Sequence, residues 1–181
     1  MGDATTTLLT VEEFLQMSEP EDRRLELIGG ELVSISFGHI PHEVVKKNLI
    51  KILVLWLAQN SSAEVFAETI YRVDEQNALM PDLSVLLPGR IAPGRTGWIQ
   101  SAPEIAIEVV SSESAARLET KIELYLSHGG KSVWIIYPEQ RVVRVFDATG
   151  GLKKFEGTQA LVDSNVLPGF SVPTSAIFEG V

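Results

Sequence analysis

Apolar and polar positions along the chain follow two spacings, one typical of helices and one typical of strands. Six apolar residues after a break at residues 38–42 recur at helical spacing and predict a long helix with one buried face: Val45, Leu49, Ile52, Leu53, Trp56 and Leu57. Residues 24–28 and 31–37 alternate as strands do, and Gly29-Gly30 between them is typical of a hairpin turn. Alternation over residues 63–73 predicts one further strand.

Capping signals place two more helices. Thr10 and Glu13 form a capping box, which predicts a short helix directly after Thr10. Residues 111–114 offer several N-cap side chains and predict a helix over residues 115–127, ended by His128-Gly129-Gly130. The apolar face of this helix is predicted to consist of Ala115, Leu118, Ile122, Tyr125 and Leu126. Arg117 and Lys121 are predicted to run along its edge.

Two segments, residues 80–87 and 104–110, have the continuous apolar pattern of strands buried on both faces. Each contains a carboxylate, Asp82 in the first and Glu108 in the second. An unpaired buried carboxylate costs several kcal/mol or becomes protonated. Two such residues followed by Lys121 therefore suggest a site that holds a cation.

The order of the elements indicates the architecture. Three more strands are predicted, at residues 132–137, 142–147 and 152–155. The strand at 104–110, the helix after it and the strand at 132–137 have the order of a crossover, so these two strands are expected to be parallel. The predicted fold class is α/β (α+β), with a mixed β-sheet flanked by helices and additional antiparallel hairpins. Apolar residues at 167–170 and 177–178 are expected to anchor the tail of a single domain spanning residues 1–181.

Composition narrows the class of protein. The 181 residues are 45% hydrophobic and 22% charged, which is typical of a globular chain. Because the sequence has no cysteine, it has no disulfide framework and no thiolate metal site, and a cytoplasmic location is expected. We find neither a signal-peptide pattern nor an apolar run long enough for a transmembrane helix, so no membrane contact is expected.

The charge of the chain bears on its partners. A net charge of −9 argues against a binder driven by charge alone, although a local basic patch can still act at physiological salt. Residues four apart on the long helix, His42 with Lys46 and Lys47 with Lys51, are expected to form basic stripes on its exposed side. A solvated surface or a weak phosphate contact would explain these stripes.

The two carboxylates support one chemical interpretation and several structural ones. Neighbouring strands would bring Asp82 and Glu108 together, and oxygen ligands of this kind suit Mg²⁺ or Mn²⁺. Lys121 could place its ammonium beside a metal-bound water or a developing negative charge. Alternatively, Asp82 caps a turn, Glu108 and Lys121 form a structural ion pair, or Lys121 is solvated at the helix edge.

An ordered set of motifs resembles a known family. The set comprises Pro81-Asp82, Glu108-Val109-Val110-Ser111, Lys121-x-x-x-Tyr125, Gly129 and Val133-Trp134-Ile135-Ile136-Tyr137-Pro138, together with Glu26-Leu27-Ile28-Gly29-Gly30-Glu31-Leu32, His42 and Leu167-Pro168-Gly169-Phe170. It is similar to the Uma-type restriction endonucleases of the PD-(D/E)XK nuclease superfamily. The resemblance covers most of the chain and implies a restriction-endonuclease-like fold.

The resemblance also implies roles for individual residues. Asp82 and Glu108 would bind Mg²⁺ with the backbone carbonyl of Val109, and Lys121 would be the catalytic lysine. In the superfamily that lysine stands two residues after the glutamate, where this chain has Val110, and related families place it on the following helix. Four further residues are expected to line the site: Glu26, His42, Ser111 and Tyr125.

The sequence departs from the family pattern in three places. Ser112 replaces the usual proline after the serine, and the loop that leads to Lys121 is about one residue short. Arg117-Leu118 occupy the region where the family often has an acidic residue before the lysine. These departures concern the geometry of the loop more than the identity of the ligands.

Two functions remain open at this point. The resemblance implies an endonuclease that depends on Mg²⁺ or Mn²⁺ and acts on DNA with Asp82, Glu108 and Lys121. A homodimer or higher homo-oligomer is expected under either function. The alternative is a catalytically inactive nucleic-acid-binding or oligomerisation module of the same fold, which the acidic net charge favours. A Ser-His-Asp hydrolase is disfavoured because no Gly-x-Ser-x-Gly motif occurs. His39 and His42 lack the further ligands of a zinc site.

Overall fold

A six-stranded mixed sheet forms the centre of the molecule, in a computed structural model that describes residues 8–18, 23–35, 39–91 and 97–181. The helices are α1 (Val11–Gln16), α2 (Ile40–Asn60), α3 (Ala115–Ser127) and α4 (Thr174–Ile177). The strands are β1 (Arg24–Ile28), β2 (Glu31–Ile35), β3 (Glu64–Ala67), β4 (Tyr71–Arg72), β5 (Ala78–Leu79), β6 (Leu83–Leu86), β7 (Ile99–Gln100), β8 (Ile105–Val109), β9 (Ser132–Tyr137), β10 (Val142–Asp147), β11 (Leu152–Glu156), β12 (Ala160–Asp163) and β13 (Leu167–Pro173).

The central sheet has the strand order β11-β10-β9-β8-β6-β3. Strands β8 and β9 are parallel and are joined by α3, which confirms the predicted crossover. The other pairs in this sheet are antiparallel, including β6 with β8, whose register places Leu83 opposite Ile107. Continuing this register by one position places Asp82 opposite Glu108, at one end of the sheet.

A second sheet, of order β2-β1-β5-β4-β7, contains the predicted hairpin of β1 and β2. The prediction of one strand over residues 63–73 was wrong. The chain breaks at Glu68, which has a φ of 50°, so that β3 joins the central sheet and β4 joins the second sheet. The last residues predicted for the second hairpin strand, 36 and 37, lie outside the described residues.

Two helices cover the two faces of the central sheet. Helix α2 packs Val45, Leu49, Leu53 and Leu57 into the larger apolar cluster, as the helical spacing predicted. Helix α3 packs Leu118 and the fully buried Tyr125 into the cluster on the opposite face. Among the described residues, no helix combines the length and the apolar character that crossing a membrane requires.

The C-terminal tail closes the α2 side of the core. Strands β12 and β13 form an antiparallel hairpin that the sequence pattern did not predict, although its apolar residues do anchor the tail. Phe170 lies 5.4 Å from Trp56 and 5.7 Å from Trp134, measured between ring centroids. The indole N–H of Trp134 donates to the buried carboxylate of Asp163 at 2.9 Å. The tail therefore belongs to the same core as α2.

Three predictions about exposure and strand length were also wrong. Strand β6 begins only at Leu83, so Asp82 precedes the strand and does not lie within it. His42 and Lys46 are buried on α2, and Lys121, predicted at the edge of α3, is only 3% exposed. His42, Lys46 and Lys121 can be buried because a carboxylate from another element accepts a hydrogen bond from the polar head of each.

Gly130 fixes the way α3 returns to the sheet. Its N–H donates to the carbonyl of Tyr125 at 2.9 Å, and a Cβ at this position would lie 2.5 Å from the same carbonyl oxygen. We expect Gly130→Ala to lower the free energy of unfolding by about 1–3 kcal/mol, the usual cost of overpacking. Chemical denaturation checks this.

Gly89→Ala is the matched control, because Gly89 has a positive φ but nothing lies within 4 Å of its added Cβ. This variant should lose only about 1 kcal/mol, the cost of the strained backbone conformation. A loss in Gly130→Ala below about 1 kcal/mol, the low end of the overpacking range, would show that the contact with Tyr125 does not constrain α3.

Candidate active site

Asp82 lies at the start of β6, where the chain leaves the second sheet and enters the central one. Its Oδ2 accepts a hydrogen bond from the backbone N–H of Val109 at 2.7 Å. Its Oδ1 lies 3.1 Å from Nε2 of His42. The carboxylate is thus fixed by the neighbouring strand on one side and by the first turn of α2 on the other.

Glu108 points from β8 towards α3. Its Oε1 accepts a hydrogen bond from the Tyr125 hydroxyl at 2.7 Å and lies 2.7 Å from Nζ of Lys121. All three side chains are buried. The sequence left open a structural ion pair between Glu108 and Lys121, and the structure contains that pair.

A third carboxylate joins this group. Glu26, on β1, is 1% exposed, and its Oε1 lies 3.0 Å from Nζ of Lys121. The same oxygen accepts a hydrogen bond from the backbone N–H of Met80 at 2.7 Å. Its second oxygen, Oε2, is buried and has no hydrogen-bond partner among the described residues. A buried carboxylate oxygen without a partner is costly, so this atom requires an explanation.

These side chains surround a cavity of about 150 Å³. Of the residues predicted for the site, Glu26, His42, Asp82, Glu108, Val109, Ser111 and Lys121 line the cavity. Tyr125 lies behind them and reaches the cavity only through its hydrogen bond to Glu108. The structure therefore brings together residues from β1, α2, the start of β6, β8 and α3.

Two charged residues that line the cavity were not predicted for the site, Glu113 and Arg117. Glu113 lies just before α3, among residues whose sequence pattern indicated only helix capping. It supplies an acidic group ahead of Lys121, although it precedes the Arg117-Leu118 region where the family pattern has one. The signal that could have identified it was its place in the short loop between the strand that carries Glu108 and the helix that carries Lys121.

The cavity holds more carboxylates than cations, and this imbalance shifts several pKa values. Burial raises the pKa of Glu108 to about 8 against the lowering effect of Lys121, and the charges of Glu26 and Asp82 raise it further. Burial alone would lower the pKa of Lys121, but Glu108 and Glu26 raise it, so the ammonium stays charged. Burial also raises the pKa of Glu113. A cation in the cavity would relieve the repulsion that favours protonation.

His42 responds to the same carboxylates. Burial acts to lower its pKa, but the hydrogen bond and the charge of Asp82, with a further contribution from Glu43, raise the pKa above the ordinary value for histidine. The imidazole of His42 therefore stays protonated, and paired with Asp82, to a higher pH than the ring of a free histidine stays protonated.

The residues around the cavity fit a hard divalent cation. They provide carboxylate oxygens from Asp82, Glu108 and Glu26, one of which has no partner, and the chain has no thiolate to favour a softer metal. Within the described ranges, no three acidic or histidine side chains already converge as a finished cage. Lys121 engages two of the carboxylates instead. Coordination by one or two carboxylates with several waters, as Mg²⁺ prefers, is compatible with this arrangement.

The raised pKa of Glu108 predicts how the stability of the metal-free protein depends on pH. Folded Glu108 keeps its proton up to about pH 8, whereas the unfolded chain releases it near 4.5. Stability contributed by protonated Glu108 is thus complete below pH 4.5 and is lost as the pH rises through 8. Relative to Glu108→Gln, the wild type should lose a few kcal/mol of unfolding free energy between pH 5 and pH 8.5 in EDTA.

Denaturant titration of wild type and Glu108→Gln across this pH range measures the difference between their unfolding free energies. The other acidic residues are the same in both proteins, so their contributions cancel in this difference. Unfolding free energies that change in parallel with pH in the two proteins would contradict the raised pKa of Glu108.

The buried Lys46 has a partner of its own. Its ammonium lies 2.5 Å from the carboxylate of Glu68 and 3.4 Å from that of Glu43. It is therefore unavailable as a phosphate contact, contrary to the hypothesis for the basic stripes. Lys47 and Lys51 are exposed, as predicted.

Comparison with known proteins identifies relatives of this chain. The model of the Uma2 family, described as "Putative restriction endonuclease", matches residues 11–175. A curated relative, "Uncharacterized protein sll1609" of Synechocystis sp. (strain ATCC 27184 / PCC 6803 / Kazusa), is 25% identical over 114 residues, which are 62% of this chain. The chain spans 64% of the length of that relative.

A solved structure has the same architecture. It is described as a putative nuclease belonging to DUF820 from Anabaena variabilis ATCC 29413. The TM-score is 0.83 at 23% identity, and the match covers 94% of this chain and 98% of the other. This similarity confirms the predicted restriction-endonuclease-like fold.

Proposed function

Because the chain belongs to the Uma2 family of restriction-endonuclease-like proteins, we propose that it is a metal-dependent endonuclease that hydrolyses phosphodiester bonds in DNA. One observation carries the proposal above all. The buried Lys121 lies within 3.0 Å of two carboxylates, Glu26 and Glu108, in a cavity that also contains Asp82. A lysine beside several carboxylate oxygens suits metal-assisted phosphodiester hydrolysis.

Each residue has a role in this proposal. Asp82 and Glu108 would hold Mg²⁺ or Mn²⁺, with the backbone carbonyl of Val109 as a further oxygen ligand. When bound, the cation would polarise a phosphoryl oxygen and lower the pKa of a water molecule. Lys121 would orient that water or stabilise the negative charge that develops on the phosphate. Glu26 would position the Lys121 ammonium.

Arg117 gives the cavity a candidate phosphate contact. It lines the same cavity from the first turn of α3, and a guanidinium can bind two phosphate oxygens at once. Such contacts make affinity for DNA decrease as salt increases.

A second candidate function is a nucleic-acid-binding or oligomerisation module without catalysis. The favouring observation is that Lys121 already pairs with one oxygen of Glu26 and one oxygen of Glu108, which balances part of the negative charge of the cavity without a metal. The net charge of −9 favours it as well. Binding of Mg²⁺ or Mn²⁺ separates the two candidates, because the module has no need of a cation.

Plasmid nicking tests the proposed activity. Purified protein should convert supercoiled plasmid to open-circular and linear forms with Mg²⁺ or Mn²⁺, and EDTA should stop the conversion. Ca²⁺ is an informative comparison for the cleavage rate. It binds oxygens at longer distances and with more ligands than Mg²⁺, so a site suited to octahedral Mg²⁺ should support cleavage poorly with Ca²⁺. The proposal would be contradicted if neither Mg²⁺ nor Mn²⁺ supports cleavage, or if cleavage persists in EDTA.

The expected homodimer belongs to the same proposal, because cutting both strands requires two sites. Strand β11 is one edge of the central sheet and is available for pairing, although Lys153 and Lys154 on it oppose edge-to-edge association. Light scattering of the purified protein gives the mass directly. We also retain the cytoplasm as the proposed location.

A further inference from the structure

His42 occupies an unusual position for a histidine in the first turn of a helix. It is 7% exposed, and each ring nitrogen faces a different carboxylate. Nε2 lies 3.1 Å from Oδ1 of Asp82, and Nδ1 lies 3.1 Å from Oε1 of Glu43. Since both neighbours are acceptors, the ring satisfies them by donating from both nitrogens.

We infer that His42 is a positioning residue for Asp82, held in place by Glu43; the inference rests on the proposed metal site. Asp82 receives one hydrogen bond on each oxygen, from Val109 N–H and from His42. Two donors on different elements fix the plane of the carboxylate and leave a further lone pair on each oxygen for a cation. Outer partners of this kind orient metal ligands, and their loss typically weakens metal affinity about 10–100-fold.

A chain of alternating charges anchors the imidazole. Glu43, which accepts from His42, also lies 3.4 Å from the Lys46 ammonium. Lys46 in turn pairs with Glu68, and Glu68 pairs with Arg24 on β1. These contacts connect the first turn of α2 to the hairpin that carries Glu26. The orientation of the His42 ring is therefore set by several elements and not by its own helix alone.

The same chain offers a matched control. His128, at the end of α3, also forms a histidine–aspartate pair, with Nε2 3.3 Å from Oδ2 of Asp74, and it does not line the cavity. His128→Leu and His42→Leu both remove one such pair. Only the second change removes a donor from a proposed metal ligand, so the two variants separate positioning from general stability.

Calorimetric titration of the full chain with Mn²⁺ tests the inference. His42→Leu should raise the Kd for Mn²⁺ about 10–100-fold, whereas His42→Gln, which keeps an N–H donor, should recover most of the affinity. His128→Leu should bind Mn²⁺ as the wild type does, even where its Tm falls. Where the wild type nicks plasmid, His42→Leu should need more Mn²⁺ for half-maximal rate and approach the wild-type kcat at saturation.

The outcomes are distinguishable. Equal Mn²⁺ affinity of His42→Leu and wild type overturns the role of His42 and leaves the proposed nuclease intact. Mn²⁺ binding that depends on His42, without any nicking, supports the role and refutes the nuclease. Wild-type protein that binds no Mn²⁺ refutes both. Should His42→Leu fail to fold, Glu43→Ala is measured instead; it keeps the imidazole, removes the carboxylate that accepts from its Nδ1 and is expected to raise the Kd.

Discussion

Asp82→Asn should reduce metal-dependent plasmid nicking roughly a thousandfold or more, since a catalytic metal is worth several kcal/mol and each factor of ten corresponds to about 1.4 kcal/mol. The substitution keeps the shape of the side chain but removes the charge that attracts the cation. One amide oxygen still can accept from Val109 or His42, so the fold around β6 should persist. Initial nicking rates at saturating Mg²⁺ measure the effect, with Tm recorded to confirm folding.

Glu123→Gln is the control for Asp82→Asn, because it removes one carboxylate charge from an exposed position on α3. It should nick at the wild-type rate. Equal nicking by wild type and Asp82→Asn would identify a contaminating nuclease and refute the assignment of Asp82 as a ligand.

Lys121→Met should have a large effect on both stability and cleavage. The ammonium is the cation shared by Glu26 and Glu108, all three side chains being nearly inaccessible to solvent. Removing one partner of a buried pair costs about 3–5 kcal/mol because the remaining charge has no compensation. Denaturant titration at pH 9, above the pKa of about 8 that burial gives Glu108, should show this loss, and nicking should fall below detection.

A second substitution separates the two roles of Lys121. In Lys121→Met/Glu26→Gln, one of the two stranded carboxylates is neutral, so much of the lost stability should return while cleavage stays absent. Recovery of both stability and cleavage would show that Lys121 only balances charge. Lys121→Arg should keep most of the stability, but its planar, bulkier head cannot occupy the same position as the ammonium, so cleavage should drop.

Local signals predicted most of the fold. The Thr10 capping box begins α1, Ser114 caps α3, and Gly29-Gly30 turns the β1–β2 hairpin. These features depend on residues within four positions of one another, so the sequence states them directly. The division of the strand at Glu68 and the β12–β13 hairpin depend on which sheet or core each segment joins, and that choice is made by distant residues.

The site was predictable in its chemistry but not in its charge pairing. Carboxylates in apolar segments identified Asp82 and Glu108, and family resemblance added Glu26. Helical spacing placed His42 and Lys121 at exposed edges because periodicity counts a charged residue as solvated. Their burial depends on carboxylates that are distant in sequence, Asp82 for His42 and Glu26 for Lys121. Such long-range pairs leave no local pattern.

Anomalous diffraction from a crystal soaked in Mn²⁺ tests the central claim, that Asp82 and Glu108 form one cation site beside Lys121. We predict a single strong peak in the cavity, at about 2.0–2.2 Å from oxygens of Asp82 and Glu108, with the Lys121 ammonium displaced from Glu108 or sharing it. A cavity without a peak at saturating Mn²⁺, with Lys121 still 2.7 Å from Glu108, would contradict the claim and favour the non-catalytic module.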